Sequence, residues 1–177
     1  MSRSDQETPP AWHHLPPNRY NPHTWVLGEP SIGDGCWIGA FAVIDGSGGL
    51  TIGKGCDIGA CSQIYTHSSV RRVLSERAVP VERMPTSIGD YVYIAPNVTI
   101  LMGCHIGNHV SIGAGAVLRQ GMVVPDWSLV IGVPARIIPN GARRFVEPPP
   151  YEHHHTLEMS MSVAGTAEHR SENSDTP

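Results

Sequence analysis

Apolar residues recur at an interval of six over much of this chain. The longest unbroken run consists of five isoleucines: Ile88, Ile94, Ile100, Ile106 and Ile112. The interval continues downstream through Leu118, Val124 and Val130. It also occurs in two earlier runs, which are Val26, Ile32, Ile38 and Ile44, and then Ile52, Ile58 and Ile64. Because six is even, these anchors share one face of a strand, and six does not fit the 3.6-residue period of a helix. The pattern predicts a β-helix in which each repeat is a short strand and a corner.

The residue two positions before each anchor is small or apolar. These residues are Cys36, Ala42, Cys56, Ser62, Val92, Val98, Cys104, Val110 and Ala116. Alternation along a strand places them on the same inward face as the anchors. Cys61 breaks this register and is expected to face outward. The three inward positions suit unpaired cysteines. No disulfide framework is expected and no C-x-x-C pair suggests zinc, so all four cysteines are predicted to be free.

Breaks in the repeat divide the chain. Residues 1–23 are predicted to form an irregular Pro/His-rich arm, and residues 24–138 the all-β helix. Between Ile44 and Ile52 the interval stretches to eight through a glycine-rich run, which indicates a widened corner. The charged segment 66–87 lacks the repeat and is predicted to be a loop that leaves the coil. Residues 139–177 form a C-terminal extension, expected to be mobile after about residue 147.

Composition narrows the range of partners. The 177 residues fit one domain, and twelve Lys and Arg against sixteen Asp and Glu give no support for a nucleic-acid partner. No apolar run approaches the ~18 residues of a membrane-spanning helix. The N-terminal sequence lacks a hydrophobic signal segment, which favours a cytoplasmic location.

Two stretches resemble the hexapeptide-repeat acyltransferases. The first stretch lies between Ile88 and Ile138 and contains IGDYVYIAPNVTILMGCHIGNHVSIGAGAVL and VIGVPARII. It is similar to the C-terminal half of that family. The run IDGSGGLTIGKGCDIGACSQIYTHSSV resembles the branch that acylates sugars and nucleotide sugars. The resemblance covers residues 21–138. It implies a left-handed parallel β-helix, a homotrimer with active sites between subunits, and acetyl-CoA as the acyl donor.

His67 is the predicted catalytic base. It stands where the repeat breaks and matches the family's catalytic histidine in the IYTH motif. An imidazole titrates near neutral pH and can take the proton of an attacking hydroxyl. The alternative is an ordinary surface histidine in a loop.

The resemblance also implies a donor site. Its residues are Ala95, Ala114, Arg119, Gln120, Pro134 and Arg136. Gln120 occupies a position where the family often has lysine, so Arg119 is a candidate replacement cation. Arg136 lies in the closing GVPAR motif, and a guanidinium group suits phosphate geometry.

Two residues are candidates for contact with the acceptor. Asp45 lies at the widened corner and either reaches the acceptor or forms the turn. Tyr93 stands where family members often carry tryptophan, and it either lines the site or is a structural surface residue.

The sequence therefore predicts an acetyl-CoA-dependent O-acetyltransferase that acts on a hydroxyl of a sugar, nucleotide sugar or glycan precursor. An amine acceptor or an antibiotic hydroxyl stays open. One rival is a zinc enzyme like the carbonic anhydrases of this fold, with His67, His105 and His109 as ligands. His105 and His109 occupy different registers that do not stack, so no metal is expected. A non-catalytic scaffold is the other rival.

Overall fold

A computed structural model describes residues 20–146 as a parallel β-helix with three sides. Each regular coil contributes one short strand to each side, and residues 18 positions apart pair in register, as Ile94 does with Ile112. The next coil continues the same file, because Ile112 pairs with Val130. This stacking explains the sequence interval: three repeats of six make one coil.

Three sheets form the sides. Sheet A contains β1 (Trp25–Leu27), β4 (Val43–Asp45), β7 (Gln63–Ile64), β12 (Thr99–Ile100) and β15 (Val117–Leu118). Sheet B contains β2 (Ser31–Ile32), β5 (Leu50–Ile52), β10 (Thr86–Ile88), β13 (His105–Ile106) and β16 (Val123–Val124). Sheet C contains β3 (Trp37–Ile38), β6 (Asp57–Ile58), β11 (Tyr93–Ile94), β14 (Ser111–Ile112), β17 (Leu129–Ile131) and β18 (Arg136–Ile138).

The corners between the sheets also stack from coil to coil. Corner AB joins sheet A to sheet B through residues 28–30, 46–49, 65–85, 101–104 and 119–122. Corner BC joins sheet B to sheet C through residues 33–36, 53–56, 89–92, 107–110 and 125–128. Corner CA joins sheet C to the next coil through residues 39–42, 59–62, 95–98 and 113–116.

The segment predicted as a loop has structure of its own. It carries helix α1 (Val70–Leu74) and two strands that pair antiparallel, β8 (His67–Ser68) and β9 (Glu82–Arg83). The coil resumes at Thr86, slightly before the first anchor of the long run. The segment leaves at corner AB, so its residues lie beside one edge of the coil.

The end of the coil departs from the parallel pattern. Strand β18 folds back antiparallel to β17, and a 3-10 helix follows at Gly141–Phe145. The Ala142 N–H donates to the Trp127 carbonyl oxygen at 3.0 Å, which fixes this helix on corner BC. The described chain therefore ends beside corner BC.

The predicted core is confirmed. Every anchor from Ile32 to Val130 is buried, and the large side chains form one continuous cluster. The inward residues two positions earlier are buried as well, except Cys36, which is half-buried at the first coils. Cys61 is exposed as expected, and the four cysteines are free.

Some predictions fall on other parts of the chain. Most of the Pro/His-rich arm and the segment after about residue 147 lie outside the described residues. Within residues 20–146, no helix has the length and apolar character needed to cross a membrane.

Candidate active site

The widened corner at residues 46–49 closes over the start of the loop segment. The Gly46 N–H donates to the Leu27 carbonyl oxygen at 2.8 Å, and the Gly49 N–H donates to Gly46 at 3.1 Å, which makes a compact turn. A Cβ on Gly48 would collide with the carbonyl oxygen of Thr66. The two extra residues of this corner thus bring its backbone against Thr66.

Asp45 lies beneath this turn with no exposed side-chain surface. Its Oδ1 accepts the Ser47 N–H at 2.9 Å, and its Oδ2 accepts the Thr66 N–H at 2.8 Å. The Thr66 hydroxyl lies 2.8 Å from the Asp45 carbonyl oxygen and 3.0 Å from Oδ2, while it accepts the Gly48 N–H at 2.8 Å. The carboxylate is therefore held by both chain segments that meet here.

These contacts keep Asp45 ionised. Burial alone raises the pKa of a carboxyl group, but hydrogen bonds from Ser47, Thr66 and His67 outweigh burial and hold the pKa of Asp45 well below its usual range. A buried negative charge consequently lies directly under the loop segment.

The imidazole of His67 forms a hydrogen bond with this carboxylate. Its Nδ1 lies 2.6 Å from Asp45 Oδ2, and its side chain is about one third exposed. An ionised carboxylate can only accept a hydrogen bond, so Nδ1 carries a proton and donates. In the neutral form of the ring, the second nitrogen, Nε2, then has a free lone pair. This tautomer is the one that a base needs.

A cleft of about 580 Å³ opens beside His67. Its walls include Tyr65, Leu101 and Gln120 from corner AB and the Arg71–Glu82 pair from the loop segment. The Arg71 guanidinium donates to Glu82 Oε1 at 2.9 Å. The cleft thus offers a cation, an anion and an amide within one cavity that also contains the imidazole.

The predicted donor residues fall into two groups. Gln120 lines the cleft, and the exposed Arg119 precedes it on the same corner. Ala95 and Ala114 lie on corner CA, and Pro134 follows that corner at the last coil. The second group lies across sheet A from His67. One chain alone therefore does not bring all predicted donor residues to the base.

Arg136 is exposed in β18, where it is paired in register with Ile131. It is adjacent to the buried Ala135, whose N–H donates to the Val117 carbonyl oxygen at 3.0 Å. These contacts fix the backbone of the closing motif beside corner CA.

The structure places the two acceptor candidates far apart in the coil, Asp45 at the end of a sheet A strand and Tyr93 on sheet C. The Asp45 carboxylate is buried and binds Ser47, Thr66 and His67, which fits the turn-forming alternative. Tyr93 is half-exposed on sheet C and lines a separate groove of about 380 Å³ with Trp127.

Thr66 is a residue of the candidate site that the sequence did not predict. Its hydroxyl and N–H connect Asp45 to the widened corner. Two sequence signals lie together here, the stretched interval before Ile52 and the end of the repeat after Ile64. Both interruptions fall at the same corner in successive coils. From that coincidence, the contact between Asp45 and His67 could have been predicted.

The three histidines of the zinc alternative do not converge. His67 lies at corner AB and His105 on sheet B, where its Nδ1 is 2.9 Å from Ser87 Oγ. His109 lies at corner BC, stacked between Tyr91 and Trp127. Among residues 20–146, no three His, Cys, Asp or Glu side chains are placed to hold a metal ion.

Comparison with known proteins agrees with the fold and the repeat. Residues 85–120 match the family described as bacterial transferase hexapeptide (six repeats). A solved structure of a hexapeptide-repeat containing acetyltransferase from Vibrio cholerae is 33% identical in sequence, with a TM-score of 0.52. The match covers 65% of this chain and 69% of that chain. The chain belongs to the hexapeptide-repeat transferase family.

Two further relatives extend the comparison. The Vibrio cholerae O1 biovar eltor protein solved in complex with acetyl coenzyme A is 37% identical, with 62% of this chain and 58% of that chain covered and a TM-score of 0.54. The serine acetyltransferase of Staphylococcus aureus strain Mu50 is 32% identical over 72% of this chain. This chain spans 63% of the length of that relative.

Proposed function

We propose that this protein transfers an acetyl group from acetyl-CoA to a hydroxyl group of a small polar acceptor, with His67 as the general base. The observation that carries the proposal is the 2.6 Å contact between His67 Nδ1 and the buried Asp45 carboxylate at the wall of an open cleft. Membership of the hexapeptide family and the acetyl-CoA complex of the 37% identical relative support the donor.

The geometry suits one sequence of proton transfers. His67 Nε2 accepts the proton of the acceptor hydroxyl while that oxygen attacks the thioester carbonyl carbon. The carbon–sulfur bond then breaks, and the imidazolium returns the proton to the departing thiolate. Asp45 stays ionised throughout and stabilises the imidazolium. A base in this position contributes about 10²–10⁴-fold in rate.

The separation of the predicted donor residues favours a site shared between copies. Ala95, Ala114 and Pro134 lie on the far side of sheet A from His67. A ring of three chains that sets corner CA of one copy against corner AB of the next would bring the two groups together. We therefore propose a homotrimer with three composite sites. Light scattering should give a mass near three chains, and a monomer that transfers acetyl groups would contradict this arrangement.

Arg136 is the proposed contact for the phosphates of the donor. Replacement by alanine should raise KM for acetyl-CoA by about tenfold with little change in KM for the acceptor, because a hydrogen bond to a charged group contributes ~1.5–3 kcal/mol and less where water has access. Lysine should restore only part of the affinity, since it cannot make the two-pronged contact. Unchanged calorimetric affinity in both variants would remove Arg136 from the donor site.

The acceptor hydroxyl has two candidate sources. The resemblance of the IYTH region to sugar O-acyltransferases favours a sugar, nucleotide sugar or glycan precursor. L-Serine is the second candidate, because the curated relatives at 32% identity are serine acetyltransferases. The Arg71–Glu82 pair in the cleft provides partners for a carboxylate and an ammonium group.

One assay separates these candidates. Thiol release from acetyl-CoA should be followed with L-serine, a neutral disaccharide and a panel of nucleotide sugars, with the product located by mass spectrometry. Arg71→Ala should raise KM for an anionic acceptor and leave KM for a neutral sugar unchanged. If none of these hydroxyl compounds is acetylated while amines are, the proposal of O-acetyl transfer is wrong.

A further inference from the structure

Corner BC carries a stack of aromatic rings on the opposite edge of the coil from sheet A. Tyr91, His109 and Trp127 occupy equivalent positions in three successive coils. The Tyr91 and His109 rings have centroids 5.3 Å apart and planes 15° apart, and the His109 and Trp127 rings lie 4.3 Å and 9° apart. We call these three residues the aromatic ladder.

Both ends of the ladder are occupied by cationic side chains. The Arg143 guanidinium lies 4.6 Å from the Trp127 ring centroid, and the Lys54 amine lies 5.8 Å from that of Tyr91. With the faces of the rings in the stack, their edges border the groove of about 380 Å³ on sheet C. The half-exposed Tyr93 and the exposed Phe145 and Val146 complete its walls. The groove is thus lined mainly by apolar and aromatic side chains, and the stack of rings that borders it has a cation at each end.

The described residues end at this groove. Val146 lines it, and the next residues are Glu147, Pro148, Pro149, Pro150, Tyr151 and Glu152. Proline-rich segments bind grooves lined by aromatic residues, because their extended helix is preformed and its ordering costs little entropy. Glu147 precedes the prolines, and Tyr151 and Glu152 follow them. This pattern complements an apolar groove beside a ring stack that has a cation at each end.

The lengths also match. The 4.3 Å and 5.3 Å ring spacings and the 5.8 Å step to Lys54 together span at most about 15 Å. Polyproline II rises ~3.1 Å per residue, so the six residues after Val146 extend to roughly 19 Å. Glu152 can therefore reach Lys54 from an origin beside Trp127.

We propose that residues 147–152 bind along the aromatic ladder of the same chain. Pro148, Pro149 and Pro150 lie against the ring edges, and Glu152 pairs with Lys54. The site is separate from the His67 cleft, since the two cavities share no lining residue. In the trimer proposed above, corner BC points away from the neighbouring copies, which leaves the groove free for its own chain.

Disulfide trapping in the full chain tests this proposal. Cysteines replace Lys54 and Glu152 in a chain whose Cys36 and Cys61 are serine, and the rate of disulfide formation is measured in a fixed redox buffer. The matched control combines Glu152→Cys with Val123→Cys. Val123 is exposed on sheet B in the same coil as Trp127. Six residues extend to roughly 20 Å, and Val123 is separated from Trp127 by only three residues along the chain, so a free segment can reach both sites.

Binding along the ladder should make the 54–152 disulfide form at least ~10-fold faster than the 123–152 disulfide. Replacement of Pro148, Pro149 and Pro150 by serine should remove this preference. Tyr91→Gly should weaken it, and glycine suits that corner because Tyr91 has φ 54° and the equivalent Gly55 has φ 64°. Equal rates for the two pairs, or no effect of the serine replacements, would overturn the proposal. Disulfide-linked dimers would instead assign the groove to a second copy.

Discussion

Corner BC at Asp126 and the widened corner next to Asp45 both rely on a carboxylate that accepts hydrogen bonds from backbone N–H groups. At corner BC, Asp126 Oδ1 accepts the Asn108 N–H at 2.8 Å, and Asn108 Oδ1 in turn accepts the Asp90 N–H at 2.8 Å. This series of side-chain to backbone hydrogen bonds repeats from coil to coil at the surface. Asp45 makes the same kind of contact with Ser47 and Thr66, but beneath a turn that excludes solvent.

The difference lies in what each carboxylate can still do. Hydrogen bonds from Asn108 lower the pKa of the exposed Asp126, and its charge is screened by water. Asp45 holds its charge in a buried position, and its Oδ2 is directed at His67. The carboxylate at the regular corner therefore only holds the backbone of neighbouring coils together. The corner with two extra residues covers a buried carboxylate that contacts an imidazole.

The largest expected effect comes from removal of the imidazole. His67→Ala should lower kcat by about 10²–10⁴-fold, because the attacking hydroxyl loses its base. The fold should persist, since His67 is partly exposed and outside the core. His105→Ala is the matched control, because this histidine is exposed on sheet B. Steady-state kinetics should show loss only for His67, and near-normal turnover would contradict its role.

Asp45→Asn compares the two corners directly. An amide that donates to His67 Nδ1 places the ring proton on Nε2, and the base is then lost. Loss of a hydrogen bond to a charged group costs ~1.5–3 kcal/mol, so kcat should fall by roughly 10- to 100-fold. The pH profile of kcat should also shift, a change that a purely structural role does not produce.

Asp126→Asn is the control for that change. An asparagine Oδ1 can still accept the Asn108 N–H at an exposed corner, so turnover and its pH profile should match the unmodified protein. If both variants lose activity to the same extent, the buried position of Asp45 has no special role.

The fold was largely predictable from the sequence because the repeat is a direct consequence of packing. Each anchor from Ile32 to Val130 occupies one place per side of the coil, and six residues are needed to pass from one side to the next. The widened corner and the loop segment were also predictable, since both interrupt that interval.

The site was predictable only in part. The motif pointed to His67 as a candidate, but its contact with Asp45 depends on the stacking of two coils, which brings residues 22 positions apart together. The aromatic ladder was missed for a similar reason. Tyr91, His109 and Trp127 recur every 18 residues at a corner, outside the inward register that the six-residue interval reveals.

Gly48→Ala tests whether the shape of the widened corner positions the pair. The new Cβ collides with the Thr66 carbonyl, so Thr66 and Asp45 must shift, and the free energy of unfolding should fall by ~1–3 kcal/mol. Small displacements of catalytic groups are costly, and we expect kcat to fall by about tenfold. Gly107→Ala meets Asp126 in a similar way at corner BC. Thermal unfolding should report a similar loss for both, with kcat unchanged for Gly107→Ala.

The smallest effect concerns stability in acid. The pKa of Asp45 is depressed in the folded protein, so its contribution to stability is complete above the unfolded pKa of ~3.9 and is lost as the pH falls from there toward the folded value. Urea unfolding should therefore find the gap between the unmodified protein and Asp45→Asn widest above about pH 4, with a steady decrease below it. Asp126→Asn should show a weaker dependence of the same sign, because that carboxylate is exposed. A gap for Asp45→Asn that stays constant down to about pH 2 would mean that its charge does not stabilise the corner.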